Sequence, residues 1–324
     1  MKAVAVLLLF LCAVEMQARV IVDDYGRSIH VKDKITKIYA ASPPITMSVL
    51  AFDPNLVAAL NMPLNKEESR YVKTAAEKPV VGGFFGQGQT PNFEVLATVK
   101  PDVVIVWGGM PGIDKIVKKF SVLKLPVILV KNSTIYDLVG QFRLYGELSG
   151  EKERAKKLIA YTKETLSLID SLQGELSKRA PVRYYFAEGS DGMSSECQGS
   201  FHIEPFKYAG AKNALDCKMS SNYGMEKISF EKILLSKPDV IVAMENSFMQ
   251  QVYKDPRWKG LKAVKEKKVY LVPSTPFNYI TRPPSFMRLM GIRWLIHTFY
   301  PSLLPGSLKE EKQRFDKLFF GSLK

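Results

Sequence analysis

Residues able to do chemistry are few in this chain, and they are dispersed. Three histidines are present, His30, His202 and His297. A site for bare Zn²⁺ or Mn²⁺ draws several imidazoles and carboxylates onto one ion. His30 lies near the N-terminus, and His297 falls in a helical apolar pattern with Trp294 and Ile296 and reads as structural. That leaves His202, supported by Tyr223 or Tyr279, to complete the shell of a metal that arrives already chelated. The alternative for His202 is a solvated loop residue. Arg282 is the best cation for an anionic chelate or oxyanion, because a guanidinium suits bidentate recognition. Its alternative is an ion pair within its own lobe. Catalytic patterns are absent: the sequence has no Gly-x-Ser-x-Gly elbow and no His-Glu-x-x-His helix, and general-base candidates are scarce.

Several loops rich in glycine and aromatic residues can form a binding surface. In the first half they are 41–44, 82–88 and 107–110, with Phe84, Phe85, Trp107 and Met110 as candidates. In the second half they are 188–190, 200–202, 222–225 and 276–282, adding Tyr223, Met225 and Tyr279 to His202 and Arg282. Glycine lets backbone approach a ligand, and aromatic walls with a few polar groups orient it. For any one aromatic the alternative is core packing. Residues 82–88 are not a phosphate loop, since they lack the Gly-Lys-Ser/Thr ending.

The elements that position these loops are visible in a repeat. Phe93-Glu94-Val95-Leu96 leads to Lys100-Pro101-Asp102 and Val103–Val106; Phe230-Glu231-Lys232-Ile233-Leu234 leads to Lys237-Pro238-Asp239 and Val240–Ala243. The offset is constant, 230 − 93 = 137. Each copy reads as a capped short helix, with Asn92 or Ser229 as N-cap, then a proline stop and a strand apolar on both faces. Further strands are expected at 38–40, 56–60, 126–130, 182–187 and 269–272, and a helix at 45–50, with helical patterns between the strands. Alternating strands and helices define an α/β fold with mainly parallel sheets.

Between the halves, residues 151–179 place Ala155, Leu158, Ile159, Thr162, Leu166, Ile169, Leu172 and Leu176 at helical spacing. This predicts one amphipathic helix about 40 Å long. The expected architecture is two Rossmann-like lobes, 19–150 and 181–324, joined by a backbone helix over 151–180. Such lobes should move little against each other.

The chain has 324 residues and a formal net charge of +14. The charge favours an anionic ligand or surface. Basic residues are spread out without an arginine-rich run, which argues against nucleic-acid binding. Lys2, the apolar run 3–14 and Ala18 read as a cleaved signal peptide over 1–18. Cys12 lacks the small preceding residue of a lipidation site. An exported product keeps Cys197 and Cys217, an even pair that suggests a disulfide; two buried free thiols are the alternative.

These features resemble the class III periplasmic binding proteins, the cobalamin and ferric-siderophore type of ABC-importer receptor. The likeness is carried by Val22-Asp23-Asp24-Tyr25-Gly26-Arg27, the two repeats, and Ala209-Gly210-Ala211-Lys212-Asn213-Ala214. It continues through Trp258, Ala263-Val264, Val269-Tyr270 and Pro273, then Arg282-Pro283-Pro284-Ser285, Leu289, Gly291, Trp294 and Tyr300-Pro301. The resemblance implies two lobes with a ligand between them and no catalysis. It implies Glu94 and Glu231 as the carboxylates, one per lobe, that dock into permease arginines; the alternative is a helix-dipole role. It implies a periplasmic monomer serving permease and ATPase subunits at the inner membrane. The expected cargo is an Fe(III) siderophore or Ni(II) chelate, with no intrinsic cofactor. Haem, a corrinoid or molybdate is the alternative, and a secreted enzyme or non-transport scaffold the remote one.

Overall fold

The duplicated segment folds the same way twice. In the first copy, the Asn92 side chain accepts from the Val95 amide at 3.1 Å and caps the helix Phe93–Val99. Lys100 then takes the left-handed conformation, φ 51°, and ends it. The Asp102 amide donates to the Lys37 carbonyl (2.8 Å), and its carboxylate accepts from the Lys37 amide (2.9 Å). In the second copy, Ser229 accepts from Lys232 at 3.3 Å, Lys237 sits at φ 45°, and Asp239 exchanges the same two bonds with Arg183 (2.8 and 3.0 Å). Each Lys-Pro-Asp turn thus clamps a new strand to the start of an earlier one. Helix capping and a proline that cannot continue the helix account for the local structure.

The computed structural model describes residues 18–84, 90–221, 223–304 and 306–321. The readings made for the signal segment before residue 18, for Cys12, for Phe85 and the rest of 85–89, and for Asn222 lie outside the described residues. Two parallel sheets result. The first runs Ile38–Ala40, Val103–Trp107, Val127–Val130. The second runs Val269–Leu271, Val240–Ala243, Arg183–Ala187, Lys212–Asn213. Small antiparallel pairs flank them: Ala18–Val22 with Ser28–Lys32, and Ser194–Ser195 with Glu226–Lys227. The fold is α/β, two parallel-sheeted lobes with a long helix. The Asp23-Asp24-Tyr25-Gly26-Arg27 turn is structural: the Asp23 carboxylate takes the Arg27 amide (3.0 Å) and reaches the Leu129 amide of the first sheet (3.1 Å).

One expected strand is corrected. Residues 56–60 do not form a continuous strand. Pro54–Leu56 is a 3-10 turn capped by Asp53, and the run pairs only at its ends, Val57 with Ile38 and Leu60 with Val80. Proline fixes a turn where the apolar pattern alone reads as extended.

The helix between the sheets is continuous over Lys152–Ser177. Leu158, Ile169 and Leu176 on its buried face join one apolar cluster with Ile38 and Val103 of the first sheet and Tyr184 and Val240 of the second. The C-terminal helix Leu308–Phe319 closes this cluster: Phe319 meets Phe142, and Phe320 after it meets Tyr71. Arg154 ties three segments by donating to the carbonyls of Ala51, Phe52, Leu318 and Phe319. A shared core of this kind resists hinge motion, which otherwise needs a few loop residues free to change φ and ψ.

Candidate ligand-binding site

The cleft opens beyond the carboxyl ends of the parallel strands, where α/β sheets place ligands. A cavity of about 200 Å³ lies between the lobes. Thr46, Met47, Asn61 and Asn65 line it from the first lobe; Ser274, Phe277, Asn278 and Arg282 line it from the second. Asn61 is buried and organises the first wall. Its amide donates to the carbonyls of Ala40 and Gly82, both at 2.9 Å, and accepts from Thr46 Oγ1 at 2.5 Å. Gly83 is required there, since a Cβ would stand 2.5 Å from Asn61 Nδ2.

Trp107 ends the central strand of the first sheet and reaches the other lobe. Its ring meets Phe201 edge to face, centroids 5.6 Å apart. Its Nε1 is buried with no acceptor among the described residues. Phe201 packs on the His202 ring at 4.1 Å. His202 is buried, 6% exposed, and its Nδ1 lies 2.5 Å from Thr281 Oγ1. The reading of His202 as a solvated loop residue is therefore corrected: the short 3-10 turn Phe201–Ile203 carries the ring inward.

Arg282 lines the cavity but is already engaged. Its Nε donates to Glu188 (2.7 Å) and its Nη2 to Glu196 (2.6 Å), and the guanidinium lies over the Tyr223 ring at 5.4 Å. Neither carboxylate side chain is exposed. Burial pushes the Glu188 carboxyl up to about 8; Arg282 opposes this and the Glu196 charge adds to it. Arg282 thus makes the ion pairs within its own lobe that stood as the alternative to a ligand contact. Gly224 stays small because a Cβ there would come within 2.2 Å of the Glu196 carboxylate oxygens.

A second buried pair joins the lobes. Arg288 meets Glu204 at 2.7 Å, and the other Glu204 oxygen accepts from the Ile135 amide of the first lobe at 2.9 Å.

Other expected site residues lie elsewhere. Phe84 is corrected from cleft to core: its amide donates to the Ala41 carbonyl, which turns the ring onto Phe120 and Phe93. Tyr279 is likewise corrected. It is 2% exposed inside the shared core, because its amide bonds back to Pro273 and folds the ring away from the cavity. Met110 is half-buried against the first sheet's outer cluster. Met225 and Tyr223 stand on the rim, Met225 donating its amide to Glu196. Glu94 and Glu231 are exposed in the first turns of the two equivalent helices. Cys197 and Cys217 are joined by a disulfide, Cα atoms 5.2 Å apart.

Sequence reasoning missed Asn61, Asn65, Thr46 and Glu196. Asn61 directly follows the run misread as one strand, so a strand-end rule applied to that run points to it. Among the described residues no group of three or more His, Cys, Asp or Glu is placed to hold a metal ion, and no helix is long and apolar enough to cross a membrane.

With this fold and cleft in view, the comparisons place the chain. Residues 48–276 match the model of the periplasmic binding protein family, and the chain belongs to that family, in its class III type that serves ABC importers. It is a binding protein, not an enzyme. Similar to it is an ABC transporter solute binding protein from Sulfurospirillum deleyianum, 32% identical with a TM-score of 0.85 over 94% of this chain and 95% of the other. The molybdate-binding protein MolA of Haemophilus influenzae is 24% identical, spanning 87% of this chain and 85% of the relative. The Fe(3+)-citrate-binding protein YfmC of Bacillus subtilis is 26% identical over 57% of this chain and 58% of the relative.

Proposed function

We propose that this chain receives a small metal chelate, a ferric siderophore-type or nickel complex, and delivers it to the permease and ATPase subunits of an ABC importer. The observation that carries this reading is the two-sided cavity, lined by amides, apolar side chains, the Glu68 carboxylate and one arginine already paired within its lobe. The three histidines lie on separate elements, with His202 bonded to Thr281. Coordination is then supplied mainly by the chelator.

The functional lobes are 19–150 and 181–324, joined by 151–180, acting as a monomer in the periplasm after signal cleavage near Ala18. Glu94 and Glu231 provide two fixed carboxylates for permease docking. A second reading, molybdate, is favoured by MolA, the relative that spans 87% of this chain. Against it stands the Arg282 cluster, which leaves that wall without an unpaired cation for a free dianion. Isothermal titration with ferric citrate, nickel–histidine and molybdate separates the two. Saturable binding of a chelate supports the main reading; binding of molybdate alone replaces it.

A further inference from the structure

The second lobe buries two carboxylates against one guanidinium. Glu188 and Glu196 side chains have no solvent exposure, and Arg282 meets them at 2.7 and 2.6 Å. With both ionised, the cluster carries one uncompensated negative charge inside the protein. A buried, unpaired charge is so unfavourable that such a group usually takes up a proton instead.

The two carboxyls are not equally provided for. Glu196 accepts from Arg282 Nη2, from Ser200 Oγ at 2.7 Å and from the Met225 amide at 3.1 Å. Glu188 Oε1 accepts from Arg282 Nε, while its Oε2 is buried with no partner among the described residues. Donors stabilise the ionised form, so Glu188, the carboxyl with fewer donors, is the one that takes the proton. The raised Glu188 midpoint, about 8, agrees with this assignment. The other titratable groups that face the cluster are Tyr184, Tyr185, Asp191, Tyr223 and Glu245. Burial raises Tyr184 and Tyr185 and keeps them neutral, and it also raises Glu245.

We propose that Glu188 sets the charge of the cleft wall and thereby the charge class of the cargo. Protonated, it leaves one carboxylate against Arg282 and the second-lobe wall neutral, while Glu68 faces the same cavity from the first lobe in wild type and variant alike. Ionised, it makes the wall net negative and weakens the binding of anions. The cargo part of this inference rests on the reading of the interlobe cavity as the cargo site; the proton itself does not.

The test compares wild type with Glu188→Gln, which is permanently neutral. In the ligand-free proteins, melting temperature is followed from pH 5 to pH 9. The Glu188 midpoint is raised from 4.5 in the folded state, so its stabilisation is full below 4.5 and declines as pH rises through about 8. The wild-type melting temperature should therefore fall relative to the variant across this window. Parallel curves overturn the proposal. Should the variant not fold, infrared difference spectra of wild type between pH 6 and pH 9 decide: loss of a protonated-carboxyl band supports the proposal, and its absence at pH 6 overturns it. With molybdate as probe, whose charge is constant here, wild-type affinity should drop by up to about tenfold per pH unit above the midpoint, and the variant should show no drop. Equal pH dependence in both proteins overturns the charge-setting role. Absence of molybdate binding at every pH overturns only the extension to anionic cargo, since the ligand-free comparison reads the proton independently.

Discussion

Trp107 and Phe201 meet edge to face with ring centroids 5.6 Å apart, one ring from each lobe. The contact bridges the two lobes, as does the cavity lined by Asn61 and Asn278. The two other tryptophans, Trp258 and Trp294, are 1% and 8% exposed in core positions. Trp107 is therefore the tryptophan in contact across the lobes. Cargo should change the intrinsic fluorescence of wild type, and Trp107→Phe should remove that change. Phe201→Ala forfeits an aromatic pair worth about 1 kcal/mol, so unfolding stability in urea should fall by about that amount.

Glu204 holds the buried Arg288 and the Ile135 amide together. Breaking a buried ion pair from one side costs about 3–5 kcal/mol, because the remaining charge stays buried. Glu204→Ala should lower unfolding stability in urea by that amount. It should also speed proteolysis between the lobes. A loss below about 1 kcal/mol, the value of a surface pair, would contradict this account.

The Cys197–Cys217 disulfide closes a loop that begins one residue after Glu196. Reduction, or the double substitution Cys197→Ser and Cys217→Ser, should remove about 3 kcal/mol of stability. Calorimetric melting with and without reductant measures it.

Glu94 and Glu231 are exposed at matching places on duplicated helices. Reversing both charges, Glu94→Arg with Glu231→Arg, should abolish uptake in reconstituted transport while cargo affinity stays unchanged. Lost affinity with intact docking would remove the docking role.

Much of the scaffold is legible in the sequence because its determinants are local. The Lys-Pro-Asp turns, the N-caps Asn92 and Ser229, and the helical spacing from Ala155 to Leu176 each act within a few residues. The site is less legible because its determinants are not. Arg282 pairs with carboxylates 94 and 86 residues away, a relation no periodicity encodes. Residues 276–282 read from sequence as a single cleft loop. Backbone bonds then divide them, turning Tyr279 into the core and leaving Asn278 and Arg282 at the cavity. Phe84 reads from sequence as wall or core alike, and the bond from its amide to the Ala41 carbonyl sets the course of its loop.

The central claim is that cargo arrives with its own ligands and that the cleft holds the complex rather than the ion. Equilibrium dialysis of Ni²⁺ with and without histidine, and of Fe³⁺ with and without citrate, tests it directly. The account predicts retention of metal only when the chelator is present, with metal and chelator bound together, one complex per chain. Tight retention of either bare ion, or no retention of any complex, would contradict it.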